Sequence, residues 1–428
     1  MTLTLSTSIL FTTGCGEHDK ENSLSSNPPT KPSIHQTAEV IDNIPDFPES
    51  TDQGGSLPTS NENPKTTYSQ TTDDGVYFVK TWGGSQRDRG RGVTLDPNGN
   101  IYVSGETSSF GAGDWDILLF KYDHYGNTLW KRTWGGEGYD WITRASVVLD
   151  SKNNAYIAGS TASFRPNGQE DVLLIKFDPD GNLLWQKTWG EDKLDYSFGT
   201  NIDTSDNIYI TGVTQNFGSG DHDIILLKFD SDGNLLWQRT WGGSGNEDCG
   251  YSIAIDQFGD IYVAGLTNSA GSGGEHPRDK DGLILKFDSD GNLLWQKTWG
   301  RFDVNEWAIA TNVDTANNLY ASGWATNPET NDLDIFLLKI NPSGDLIWQR
   351  TWGGASRDAG FHVETDPTGN IYISGITAST GAGSQDIILL EINSSGTLLS
   401  QVTWGSAGND GPHVGQFRRR QILHRRHQ

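Results

Sequence analysis

The chain has 428 residues, with 52 Gly, 16 Trp, 2 Cys and 1 Met, and 31 Lys and Arg against 55 Asp and Glu for a net charge of −24. That balance leaves no basic face for phosphates and excludes nucleic acid as an expected partner, and two distant Cys, at 15 and 249, exclude a disulfide framework and a CxxC metal site. No run approaches about 18 consecutive apolar residues, so no transmembrane helix is expected, and short Ile, Leu and Val runs between Gly-rich turns read as all-β.

Residues 3–12 are apolar or hydroxylated and lead into Thr13-Gly14-Cys15-Gly16. A short apolar stretch closed by a small residue and Cys resembles a lipoprotein signal segment, here residues 1–15, with Cys15 as the lipid anchor. A start codon further upstream would supply the basic residues that such segments carry. Residues 16–74 are rich in Ser, Thr, Asn, Pro, Asp and Glu. They hold too little apolar surface to fold and are expected to form a disordered tether.

From 75 to 414 the chain repeats. Thr-Trp-Gly recurs with Trp at 82, 134, 189, 241, 299, 352 and 404, at intervals of 52 to 58 residues. Asp116, Asp171, Asp223, Asp281, Asp334 and Asp386 keep the same step, each opening an apolar run. Tyr followed three residues later by Gly, as in Ile101-Tyr102 with Gly105, is a third marker in phase. Each unit resolves into two hairpins: residues 91–96 and 101–106 flank Pro97-Asn98-Gly99-Asn100, and residues 117–122 and 128–134 flank His124-Tyr125-Gly126-Asn127. Four short strands per unit predict an all-β propeller with six complete four-stranded blades plus a partial seventh. Two Trp per unit stand four apart, as Trp185 and Trp189 do, and so share a strand face. They are expected to fill the wedge between neighbouring blades, with an exposed ligand platform as the alternative.

Trp82-Gly83-Gly84 with Asp88, then Asp96, Gly99-Asn100, Tyr102 and Gly105, resemble the bacterial SBBP (seven-bladed β-propeller) repeat family. The resemblance covers about residues 75–414 and implies a propeller at the cell surface with no shared catalytic residues. It places the protein outside the cytoplasm, lipid-anchored to the envelope or secreted, and touching membrane only through its anchor.

Residues 415–428 hold five Arg and no acid, unlike everything before them. A basic tail that binds phosphate or lipid is one reading; a one-base frameshift is preferred, because suitable codons read one base later continue the repeat as Asp-Ala-Asp-Lys-Phe-Tyr-Ile-Ala-Gly. The first β segment, Val76 to Trp82, is then expected to be a lone fourth strand awaiting three partners from beyond Trp404. Without them the ring stays open and should self-associate through its edges.

Six residues after each repeat Trp stand Asp88, Asp140, Asp195, Glu247, Asn305, Asp358 and Asp410. An acidic ring of this kind could hold Ca²⁺, the one cofactor the sequence raises. Capping of Gly-rich turns explains the same strict repeat without a ligand and is preferred. The Asp-x-Asp-Gly-Asn turns at 178, 230 and 288 look like the start of an EF-hand loop, but Trp189, Trp241 and Trp299 stand where its twelfth-position Glu belongs. Cys249 reads as a small buried residue. No His recurs in phase, and neither Gly-x-Ser-x-Gly nor His-Glu-x-x-His occurs.

The expected function is therefore a non-enzymatic scaffold presenting loops to a protein or polysaccharide. A propeller enzyme of quinoprotein or glycan-lyase type is the alternative, since Lys-Phe-Asp-x-Asp-Gly-Asn-Leu-Leu-Trp resembles the repeats of quinone-dependent propellers. Partner specificity should lie in unit-specific residues: Trp115, Trp141, Arg144, the 270–280 loop and Trp307.

Overall fold

The computed structural model describes residues 68–72, 75–79 and 82–405, less seven short stretches at 144–145, 165–168, 219–220, 244–246, 270–279, 302–304 and 328. All of its regular structure is β. Blade 1 comprises Asp88–Leu95, Ile101–Thr107, Asp116–Tyr122 and Thr128–Trp134, paired antiparallel in chain order. Five more blades repeat that order, the last being Asp358–Thr365, Ile371–Thr377, Asp386–Ile392 and Leu398–Trp404. In blade 2 the first strand is split into Asp140–Trp141 and Val147–Leu149. No helix long and apolar enough to cross a membrane occurs among the described residues. Cys15, Asp410, Arg144 and the tail at 415–428 lie outside them.

The first strands of consecutive blades pack on one another, which makes them the innermost. Apolar side chains of the middle strands interlock between blades. Tyr102, Ile117 and Leu119 of blade 1, for example, meet Ile157, Leu173 and Ile175 of blade 2. Both repeat Trp rings serve this junction, as expected. Trp130 Nε1 donates to Pro179 O at 3.0 Å, beside Lys121 Nζ on the same carbonyl at 2.9 Å and Arg132 Nε on Gly181 O at 2.6 Å. Trp134 Nε1 donates to Gln186 Oε1 at 2.7 Å. Lys176, Lys228, Lys286 and Lys339 repeat the reach into the next blade's outer turn.

Those turns are hairpins rather than cation loops. Asp178 Oδ1 accepts from the amides of Asp180 and Asn182, and Oδ2 from Asn182 Nδ2, so the carboxylate is used up locally. Gly181, at φ 82°, supplies the left-handed residue that the turn needs.

The clasp stops at blade 6, where Glu391, Ser400 and Val402 replace the Lys, Trp and Arg. Packing like that between consecutive blades does not join the inner strands of blades 6 and 1 among the described residues. Trp404 is accordingly 47% exposed while Trp134 is 2% exposed. The expectation of a lone strand at Val76 to Trp82 is corrected. Gly75–Val79 pairs antiparallel with Tyr68–Thr72 in a separate two-stranded sheet, which takes five residues from the tether expected at 16–74. The Thr-, Tyr- and Val-bearing segment flanking Asp73-Asp74 carries ordinary hairpin chemistry that the polar composition of the stretch had hidden.

Candidate functional site

Each inner strand opens on an acid, half-buried at Asp88 and buried in the other five blades, that closes the turn before it. Asp140 accepts from Gly136 N at 2.9 Å and Ser163 Oγ at 2.6 Å, and Asp358 from Gly354 N at 3.0 Å and Ser379 Oγ at 2.6 Å. Asp195 accepts from Asn216 Nδ2 at 2.6 Å, and Asp88 from Gly84 N and Ser109 Oγ, both at 2.8 Å. This is capping geometry. In two blades the expected residue is displaced by one. Asp248 and Glu306, not Glu247 and Asn305, open the inner strands, because the preceding loops carry one more residue than a fixed count from Trp allows. Glu247 instead pairs with Lys280. Among the described residues no three Asp, Glu, His or Cys converge closely enough to hold a metal.

A second acid faces the first across four junctions, with the glycine of Thr-Trp-Gly, Gly135, Gly190, Gly242 or Gly300, between them. A Cβ added at Gly190 would lie 2.3 Å from Asp171 Oδ1 and 2.5 Å from Asp195 Oδ2. Burial, together with the facing carboxylate, pushes Asp116 and Asp195 up to about 6. A carboxyl raised in the folded state contributes stability below its unfolded value near 3.8, and that contribution disappears as pH rises through about 6. Asp288, held low by the side-chain amide of Asn292, acts in the opposite sense and loses its contribution in stronger acid. The melting temperature is therefore expected to peak between about pH 4 and 5 and to fall by roughly 2–5 °C by pH 7.5. Asp116→Asn with Asp195→Asn should flatten that fall. A melting temperature rising steadily from pH 5 to 7.5 would contradict the assignment.

The position after each acid breaks the repeat: Arg89, Trp141, Tyr196, Cys249, Trp307 and Ala359. Two residues further on, a β-bulge in five of the inner strands turns out Arg91, Phe198, Tyr251, Ile309 and Phe361. In blade 2 the strand break after Trp141 takes its place. These side chains meet as an arc. Trp141 lies 5.7 Å from Tyr196, Phe198 5.1 Å from Tyr251, and Tyr251 stacks on Trp307 at 5.9 Å with an interplanar angle of 11°. Trp324 of the second strand continues it, 4.9 Å from Trp307 and 6.1 Å from Phe361. Trp141, Tyr196, Phe198, Tyr251 and Trp307 are all half-buried, with ring surface left to solvent. Cys249 is also half-buried in this column, and burial, with Glu247 nearby, pushes its thiol up to about 12.

Blade 1 closes the arc with charge. Glu106, 0% exposed at its side chain, receives Arg89 Nη1 at 3.2 Å and Arg91 Nε at 3.0 Å. Arg89 also lies 4.7 Å over the Trp115 ring, and Trp115 lies 6.3 Å from Tyr139. Trp141 Nε1 donates to Glu170 at 2.6 Å, and burial raises that carboxyl. At the other flank Lys280 sits 5.3 Å over Trp307. Trp115, Trp141 and Trp307 thus lie along one run of ring and charge contacts. Tyr196 and Arg89, directly after a recurring acid, and Phe198, Tyr251 and Phe361, two residues further on, were missed, although both columns of unlike residues were there to be read.

Residues 81–111 and 240–271 match the family SBBP, described as a beta-propeller repeat. An uncharacterized WD repeat-containing protein of Acanthamoeba polyphaga mimivirus is 22% identical over 310 residues, which is 67% of this chain and 19% of that protein. The chain therefore spans about a fifth of that relative's length. Among solved structures, a catalytically inactive virginiamycin B lyase from Staphylococcus aureus with quinupristin aligns at 10% identity and a TM-score of 0.46, over 80% of this chain and 88% of that one. The Pan2 WD40 domain of Neurospora crassa aligns at 10% identity and 0.40, over 61% and 65%. The chain is a β-propeller, and two of its stretches, 81–111 and 240–271, match the SBBP repeat.

Proposed function

We propose that this protein is a non-enzymatic binding propeller of the cell envelope that takes a glycan at the end where its inner strands begin. One observation carries the reading. Blades that agree in their turns and capping acids differ at the residue after the acid and at the bulge two residues on, and five half-buried aromatic rings collect at these two positions. Shared positions serve the fold, whereas exposed unlike ones serve recognition. Flat aromatic faces with polar neighbours suit the C–H faces and hydroxyls of sugar rings. On a panel of immobilised oligosaccharides, Trp307→Ala should weaken binding at least about tenfold, and Tyr125→Ala, in an outer turn far along the blade, should leave it unchanged. Retained by Trp307→Ala, binding would belong elsewhere. A protein ligand competing at the arc would replace the glycan.

Two finer features accompany this reading. Trp82 lies 4.9 Å from Phe110 and 4.7 Å from Phe120, much as Trp189 lies 5.1 Å from Phe217. That likeness supports taking the hairpin Tyr68–Val79 as the outer half of a partial seventh blade. Lipidation at Cys15 would hold the propeller at the membrane. Labelled palmitate entering the wild type and not Cys15→Ser would support the anchor, and equal labelling would remove it.

A further inference from the structure

We infer that the ligand is an acidic glycan, its sugar rings on the aromatic arc and a carboxylate of a uronic acid unit at Arg89 and Arg91. The inference rests on the glycan-binding reading above. In a chain of net charge −24, blade 1 places Arg87, Arg89 and Arg91 at alternate positions of one segment. Asp88 and Glu106 answer Arg87, Arg89 and Arg91 with two negative charges, so the cluster keeps a single net positive charge at the start of the inner strand. Arg89 is held in place by Trp115 as well as by Glu106, and a guanidinium so fixed loses little freedom on accepting a carboxylate.

The cationic end and the aromatic end are one surface. Tyr139 stands between them: it contacts the Trp115 ring, and Arg89, Arg91, Glu106 and Glu170 all bear on its hydroxyl. Glu170 in turn holds the indole of Trp141, from which the rings run on to Tyr196 and, through Phe198, to Tyr251 and Trp307. Successive centroids lie between 5.1 and 6.4 Å apart. A neutral glycan would use the rings and leave the arginines idle. A chain of uronic acid units would use both, and its charge would be drawn to the arginines that the arc adjoins.

Titration calorimetry on the full chain tests this with oligogalacturonate, its methyl ester and a neutral gluco-oligosaccharide of equal length. Oligogalacturonate should bind about tenfold or more tightly than its ester, and the preference should shrink as salt is raised. Arg89→Gln should lower affinity for oligogalacturonate to about that for the ester, removing the preference. Trp307→Ala should weaken all that bind. Melting curves for both variants should match the wild type within a few degrees, and Tyr251→Leu replaces Trp307→Ala if the latter fails to fold. Equal affinity for acid and ester, with both lost in Trp307→Ala, would overturn the uronate and keep the glycan site. A preference for the acid that survives Arg89→Gln would overturn the arginine assignment. No binding of any of the three, or binding indifferent to the arc variants, would overturn both readings.

Discussion

Trp134→Ala is expected to destabilise the propeller by about 3–5 kcal/mol, and the same change at Trp404 by less than about 1 kcal/mol. The two residues occupy one position of the repeat. Trp134 is buried against Ile175, Phe177 and the rest of the junction between blades 1 and 2, and its indole N–H is committed to Gln186. Truncation would open a large cavity and leave Gln186 without its donor. Trp404 keeps much of its ring in solvent, beside a face whose Lys, Trp and Arg have become Glu391, Ser400 and Val402. Urea midpoints of the two variants measure the difference. A Trp404→Ala cost close to that of Trp134→Ala would mean that a further blade covers the residue and that the ring is closed.

Gly212→Ala should cost about 3 kcal/mol and disturb the ligand surface at the same time. A Cβ there would sit 1.7 Å from Tyr196 O, a backbone atom that cannot swing aside. Relief requires moving the inner strand, and the strand carries Tyr196 and Phe198. Gly105, Gly265, Gly323 and Gly375 meet the inner-strand carbonyl in the same way, which is the physical content of the Tyr-x-x-Gly marker. Gly90→Ala is the control, since nothing lies within 4 Å of its added Cβ. Equal urea midpoints for Gly212→Ala and Gly90→Ala would contradict the close approach.

The fold was legible because its determinants repeat. The Trp pairs, the outer-turn motifs and the Tyr-x-x-Gly marker each mark a contact that recurs from blade to blade, so several copies identified what one would not. The site was less legible for the converse reason. Its residues are those that do not repeat, and Trp141, Trp307 and Trp115 drew notice for their size while Tyr196, Phe198 and Tyr251 passed as ordinary strand residues. A fixed count from Trp misassigned Glu247 because spacing along a strand survives insertions and spacing across a loop does not. The hairpin at Tyr68–Val79 was masked by the polar composition around it.

Hydrogen exchange, followed peptide by peptide on the full chain with and without saturating oligosaccharide, tests the placement of the site most directly. The account predicts that added protection falls at the starts of the inner strands, in peptides covering 89–92, 141–143, 196–199, 249–252 and 307–310. Protection confined to the outer turns around Tyr125, Asp180, Asp232 and Asp290, with the inner strands unchanged, would contradict it.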